Sequence, residues 1–232
     1  MNPEYVTFRA RGDRSVILEG EILDGGGAPC IVSHPHPFAG GDMEHPVVVA
    51  LWMAAAGRGF KALRYNFRGV GESTGGLEHA AELATADLGG AMDALGGGSM
   101  AAIGYSYGAR TTLAAMHEGF AIERAVLVAL PTKSPANRAA MSNLMLGRKI
   151  KSEEWLPYPD AERAGSAPNP VLVIAGDLDP LVDFDELRAA GVEPQAIEGV
   201  NHFFSRRLGN QAPDAADLAA LSEHALDFLS VC

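Results

Sequence analysis

Apolar and polar residues alternate at the start of the chain, in Tyr5-Val-Thr-Phe-Arg9 and again in Ser15-Val-Ile-Leu-Glu-Gly-Glu-Ile-Leu23. A period of two sends successive side chains to opposite faces of a strand, so the two runs predict an antiparallel pair. Beyond the turn Asp24-Gly-Gly-Gly27 the pattern changes. Short apolar runs now recur at residues 28–33, 60–65, 99–103, 124–129, 170–175 and 192–197. Unbroken apolar runs of this length fit strands covered on both faces, as in a parallel sheet. Helix-like stretches separate them: Pro46 to Arg58, with Gly57 and Gly59 marking its end, about His79 to Leu95, Ala109 to His117, and about Ala212 to Leu229. Strands alternating with helices predict an α/β fold with a mostly parallel central sheet and helices on both faces. Residues 131–169 break the rhythm and read as a short insertion over the sheet, too small for a large lid.

Composition narrows the class. A chain of 232 residues suits a single domain, 1–232, with one sizeable core. Hydrophobic content of 47% with 20% charged residues excludes disordered and fibrous classes. A net charge of −11 argues against a nucleic-acid partner, which requires a basic face. No run approaches the roughly 20 apolar residues of a membrane span, and Met1-Asn-Pro-Glu-Tyr-Val, with neither a basic start nor an apolar core, leads us to expect no export signal. The two cysteines, Cys30 and Cys232, make no disulfide framework, so a reducing cytoplasm is the expected setting. Acidic charge favours solubility and leaves monomer or homodimer open.

The chemistry begins at Gly104-Tyr-Ser-Tyr-Gly108, between an apolar run and a helix-forming stretch. A serine at a sharp strand-to-helix turn is strained and exposed, and glycines two residues either side relieve the crowding. The helix start supplies N–H groups and a positive dipole end to a developing oxyanion. A serine hydroxyl needs a base, and the base an orienting carboxylate. Candidates stand at the ends of the two following strands: Gly176-Asp-Leu-Asp179 and Asn201-His202. Loops at the carboxyl ends of parallel strands open on one edge, so they can converge on Ser106.

Five stretches in this order resemble the α/β-hydrolase superfamily, most of all its dienelactone-hydrolase-like and small bacterial carboxylesterase-like members. They are His34-Pro-His-Pro-Phe-Ala-Gly-Gly41, Arg64-Tyr-Asn-Phe-Arg-Gly-Val-Gly-Glu-Ser73, Gly104-Tyr-Ser-Tyr-Gly108, Gly176-Asp-Leu-Asp179 and Asn201-His-Phe-Phe204. The resemblance implies a serine hydrolase that cleaves a small-molecule ester of small to medium acyl chain. It assigns Ser106 as nucleophile, His202 as base and Asp179, rather than Asp177, as the orienting acid. It requires no cofactor. A thioesterase or a peptidase would use the same triad, and a non-catalytic binding protein on the same fold is the alternative of another class. The oxyanion donors expected are the N–H of Tyr107, directly after the nucleophile, and that of Phe38, the first past the second proline of the His34 loop.

Other features resolve more plainly. His36 is a pocket-lining candidate; His34 and His36 have no third ligand at metal-binding spacing, so no metal is expected. His45, His79, His117 and His224 read as surface or helix residues. Gly69 and Gly71 do not complete a phosphate loop and instead predict a tight turn in which Arg68 is tethered. Asp87 and Glu72 have no catalytic case. Lys133, Arg138, Arg148, Lys149 and Lys151 lie in an acid-free stretch, either a solvated helix face or an attractor for an anionic substrate group.

Overall fold

The structure is a computed structural model, and it describes residues 2–77, 81–135, 155–157, 159–207 and 212–230. The alternating N-terminal runs form β1 (Glu4–Ala10) and β2 (Asp13–Asp24), paired antiparallel. There follow β3 (Pro29–Ser33), a 3₁₀ turn (Pro37–Ala39), α1 (Pro46–Gly57), β4 (Lys61–Tyr65), α2 (Ala81–Ala94), β5 (Met100–Tyr105), α3 (Tyr107–His117) and β6 (Ile122–Val128). Within the insertion lie β7 (Lys133–Pro135), β8 (Trp155–Pro157) and α4 (Asp160–Gly165). The chain continues with β9 (Val171–Gly176), α5 (Phe184–Ala189), β10 (Gln195–Ile197) and α6 (Ala215–Ser230).

Eight strands form one sheet in the order β1-β2-β4-β3-β5-β6-β9-β10, parallel from β4 to β10 and antiparallel at the β1/β2 and β2/β4 pairs. Strand alternation divides the core between its two faces. On β5, Met100 and Ala102 join one apolar cluster with α2 and α3, while Ile103 and Tyr105 join the other with α1 and α6. Because the chain steps from β3 outward to β4 and then returns to β5 on the other side, the switch point lies between β3 and β5. Crevices for ligands form at such points, outside the carboxyl ends of the strands.

Several boundaries differ from the sequence pattern for local reasons. The expected strand 192–197 pairs with β9 only from Gln195. The Val192 N–H closes the end of α5 on Leu187, and Pro194 has no N–H to give a neighbour. Helices α4 and α5 escaped the pattern because six residues are too few for a periodicity. Asp183 caps α5, accepting from the N–H groups of Asp185 and Glu186. Helix α6 starts after Asp214, whose carbonyl accepts from the Leu218 N–H. His79, Cys232 and the basic residues Arg138, Arg148, Lys149 and Lys151 lie outside the described residues. Lys133, in contrast, stands 3.7 Å from Asp183.

Buried polar anchors hold the loops above the sheet. The Arg68 guanidinium takes both oxygens of Asp87 on α2, at 2.7–3.2 Å, and the Arg68 N–H adds a bond of 3.0 Å. Burial raises the Asp87 carboxyl, outweighing the stabilisation from Arg68. The tethered turn expected from Gly69 and Gly71 is therefore present, and Asp87 is its tether. His34 makes a second anchor. Its Nδ1–H donates to the Pro35 carbonyl at 2.7 Å and its Nε2 accepts from the Phe67 N–H at 3.1 Å. Burial lowers His34 to about 3. His45 is not a plain surface residue: half-buried, it caps α1 by accepting from the Val47 N–H at 3.3 Å, and burial lowers it to about 4.

Two stability effects follow. Asp87→Ala takes the bidentate carboxylate from the buried Arg68 guanidinium, leaving the part-exposed Asp13 at 3.6 Å, and lowers unfolding free energy by about 3 kcal/mol, read from the urea midpoint. The histidines act through acid. Above pH 6.5 both folded and unfolded chains keep them neutral; below it the unfolded chain takes up protons that the folded chain refuses. Stability therefore falls as the pH drops from 6.5 towards 4 and 3, by up to about 1.4 kcal/mol per pH unit for His34. His34→Gln shows a shallower decline of melting temperature over that window, and an unchanged slope would contradict this assignment.

Candidate active site

Ser106 sits between β5 and α3 with φ +54° and ψ −107°, a left-handed backbone that an L residue rarely adopts. Packing over-determines it. Its N–H donates to the Val128 carbonyl of β6 at 2.8 Å, and its carbonyl accepts from the Arg110 N–H at 3.1 Å. A side chain at Gly104 would collide with the backbone of Gly108 and Ala109, and one at Gly108 with Ser33 at the end of β3. The two glycines thus let strand, helix and neighbouring strand approach closely enough to force the turn. The first hydrogen bond of α3 is made by Arg110, so the N–H groups of Tyr107, Gly108 and Ala109 have no acceptor within the helix.

The loops after β9 and β10 bring two partners to this serine. Asp179 follows β9, and its Oδ1 accepts from the Leu181 N–H at 2.9 Å, which fixes the carboxylate in its own turn. Its Oδ2 lies 2.7 Å from His202 Nδ1, and His202 Nε2 lies 3.0 Å from Ser106 Oγ. A carboxylate can only accept, so Nδ1 carries the proton and Nε2 turns a lone pair to the hydroxyl. All three residues are at most 7% exposed. Asp177, the other acid of the motif, is exposed and accepts from the Gly199 N–H at 2.7 Å, tying the β9 loop to the β10 loop. Gly176 is required there as well, because a side chain would strike the Val200 carbonyl.

His202 stands at the apex of the turn 201–205. The Asn201 side chain accepts from the N–H groups of Phe203 and Ser205, and Phe204 adopts φ +55°. From the sheet, the Tyr105 hydroxyl donates to the His202 carbonyl at 2.8 Å. The sequence carried no sign of this bond, which joins residues 97 apart.

The loop after β3 departs from expectation at Phe38. Its N–H donates to His36 Nδ1 at 3.2 Å in the 3₁₀ turn, so the expected second oxyanion donor already has an acceptor. The Phe38 side chain is 63% exposed. His36 is half-buried, stacked on Phe38 and edge-on to Tyr107 with ring centres 5.0 Å apart. A narrow cavity beside it is lined by Pro37, Phe67, Leu77 and Tyr107, with the Arg68–Asp87 pair also on its wall; His36 is not part of that lining. Among the described residues no group of three or more histidine, cysteine, aspartate or glutamate side chains could hold a metal ion. Among them, too, no helix is long and apolar enough to cross a membrane.

No family model matches the chain. A curated relative, an uncharacterized protein from Rickettsia prowazekii, is 24% identical over 190 residues, 75% of this chain and 71% of its own. Solved structures are similar over nearly the whole length. An α/β serine hydrolase homologue from Coxiella burnetii is 24% identical, with 99% of each chain covered and a TM-score of 0.67. An α/β serine hydrolase without a lid from Xanthomonas campestris is 23% identical, covering 98% of this chain and 94% of that one, with a TM-score of 0.65. Est1E from Butyrivibrio proteoclasticus, solved with ferulic acid bound, is 17% identical, covering 97% of this chain and 100% of that one, with a TM-score of 0.68. At these identities the likeness is one of architecture, and together with the strand order it shows that this chain has the α/β-hydrolase fold.

Proposed function

We propose that the protein is a serine hydrolase that cleaves carboxylic esters of small to medium acyl chain through an acyl-enzyme. The observation that carries this reading is the continuous chain of bonds from Asp179 through His202 to Ser106, at 2.7 and 3.0 Å. Each distance is within reach of direct proton transfer. Strain at residue 106 and the unsatisfied N–H groups at the start of α3 support the same assignment.

The chemistry follows from these roles. His202 Nε2 takes the proton as Ser106 Oγ attacks the acyl carbon, and the imidazolium is stabilised by Asp179. The oxyanion that forms lies against the start of α3, where the Tyr107 N–H is the donor. As the tetrahedral centre collapses, His202 returns the proton to the leaving alkoxide and an acyl-Ser106 ester remains. Water then attacks that ester by the same sequence, with His202 again as base. Leu178, next to the acid in the chain, is exposed, and Phe203 stands edge-on to the His202 ring with centres 5.6 Å apart; apolar side chains beside the triad suit a neutral acyl chain. The brevity of the insertion argues for a modest acyl length over a long one.

The test is turnover of p-nitrophenyl esters from acetate to decanoate. Ser106→Ala and His202→Ala each lower kcat/KM by about 10⁴-fold or more, and Asp179→Asn by about 10³–10⁴-fold, with melting transitions retained. Short esters are cleaved about tenfold faster than decanoate. A fluorophosphonate labels wild type and not Ser106→Ala. Absence of both turnover and labelling in folded wild-type protein overturns the reading.

A further inference from the structure

Hydrolysis by this site depends on where the His202 ring stands, and the ring's place depends on a turn. The Asn201 side chain and the Asn201–Ser205 and Phe204–Asn201 main-chain bonds close that turn upon itself. None of them connects it to the strand that carries the nucleophile. Tyr105 does. It is the last residue of β5, directly before Ser106, is 1% exposed, and donates its hydroxyl to the His202 carbonyl.

The Tyr105 ring is itself held on several sides. His45, at the start of α1, lies against it with ring centres 5.2 Å apart, and Phe204 at 6.1 Å. The His202 ring faces it at 5.9 Å. A hydroxyl fixed in this way cannot swing to another acceptor without moving α1 or the β10 loop. The nucleophile and the carbonyl of the base are therefore tied to the same short stretch of β5. Resting on the proposed esterase reading, we propose that Tyr105 is a positioning residue whose hydroxyl sets the distance between His202 Nε2 and Ser106 Oγ.

The physical ground is the steepness of the proton transfer. Asp179 and Ser106 bond the ring at Nδ1 and Nε2, but a ring held only at these two edge atoms can still translate with its backbone. A carbonyl bond from the sheet removes that translation. Burial pushes the Tyr105 hydroxyl above its usual range, so it stays protonated and remains a donor wherever the protein is folded. The bond removed by Tyr105→Phe is thus a single, defined one, and the ring packing against His45 and Phe204 is kept.

Tyr105→Phe is assayed beside wild type and Ser106→Ala. The expected result is a kcat about tenfold lower, KM within about twofold, and fluorophosphonate labelling slowed by the same factor as kcat. The melting temperature stays within a few degrees. An unchanged kcat overturns the proposal, as does a loss of kcat that comes only with a broadened or strongly lowered melting transition, since that is a structural role. If the variant does not fold, 3-fluorotyrosine at position 105 keeps the ring and changes the donor strength of the hydroxyl. A changed kcat at constant KM then supports the proposal, and an unchanged kcat overturns it. Failure of wild type itself to turn over or label removes the esterase reading, and this proposal with it; turnover in wild type with no effect at Tyr105 removes only the latter.

Discussion

A left-handed backbone at a single non-glycine residue organises the upper edge of this molecule. Ser106 holds φ +54° because β5 and α3 meet with no room for a gentler turn. A residue in such a conformation is disfavoured by roughly 1–3 kcal/mol, and the surroundings must hold it there. They do so through the Val128 carbonyl, the Gly104–Gly108 contact and the contact of Gly108 with Ser33. Any side chain in place of either glycine separates β3, β5 and α3, and Ser106 relaxes with them. The place of the hydroxyl at the turn and the N–H groups behind it that find no acceptor within α3 are consequences of the same crowding.

The partners of the serine are positioned by a different means. Asp179 and His202 lie on loops, where the backbone has no sheet to register it, and short polar bonds do the work instead. Asp177 ties one loop to the other, Asn201 closes the turn, and Tyr105 reaches up from β5. Among the buried groups below them, charge is paired or suppressed. Arg68 and Asp87 neutralise one another, and burial holds His34 and His45 uncharged.

Much of this was legible in order and little of it in distance. The alternating runs at 5–9 and 15–23 and the apolar runs after them announced a mixed sheet, because strand burial writes itself into residue type. Gly104 and Gly108 were readable because close backbone approach admits no other residue. Asp179 was separated from Asp177 by resemblance, not by any local signal, and the two indeed have different partners. At Phe38 a histidine ring takes the backbone N–H two residues on, a choice of local geometry that composition does not reveal. His45, expected on the surface or a helix, is the N-cap of α1, and its contact with Tyr105 depends on where α1 meets the sheet.

What the sequence determined by itself is therefore the class of fold, the chain order of the three polar residues and the glycines that make the elbow possible. These follow from local rules, in which residue type answers to burial, turn geometry and steric room within a few positions. What only the tertiary structure decided is which N–H groups are already taken, which buried charges find each other, and which distant side chain bonds the His202 carbonyl. Those depend on contacts between residues tens of positions apart, such as Arg68 with Asp87 and Tyr105 with His202. A hydrogen bond exists only over a few tenths of an ångström, and that precision is reached when the whole core has packed.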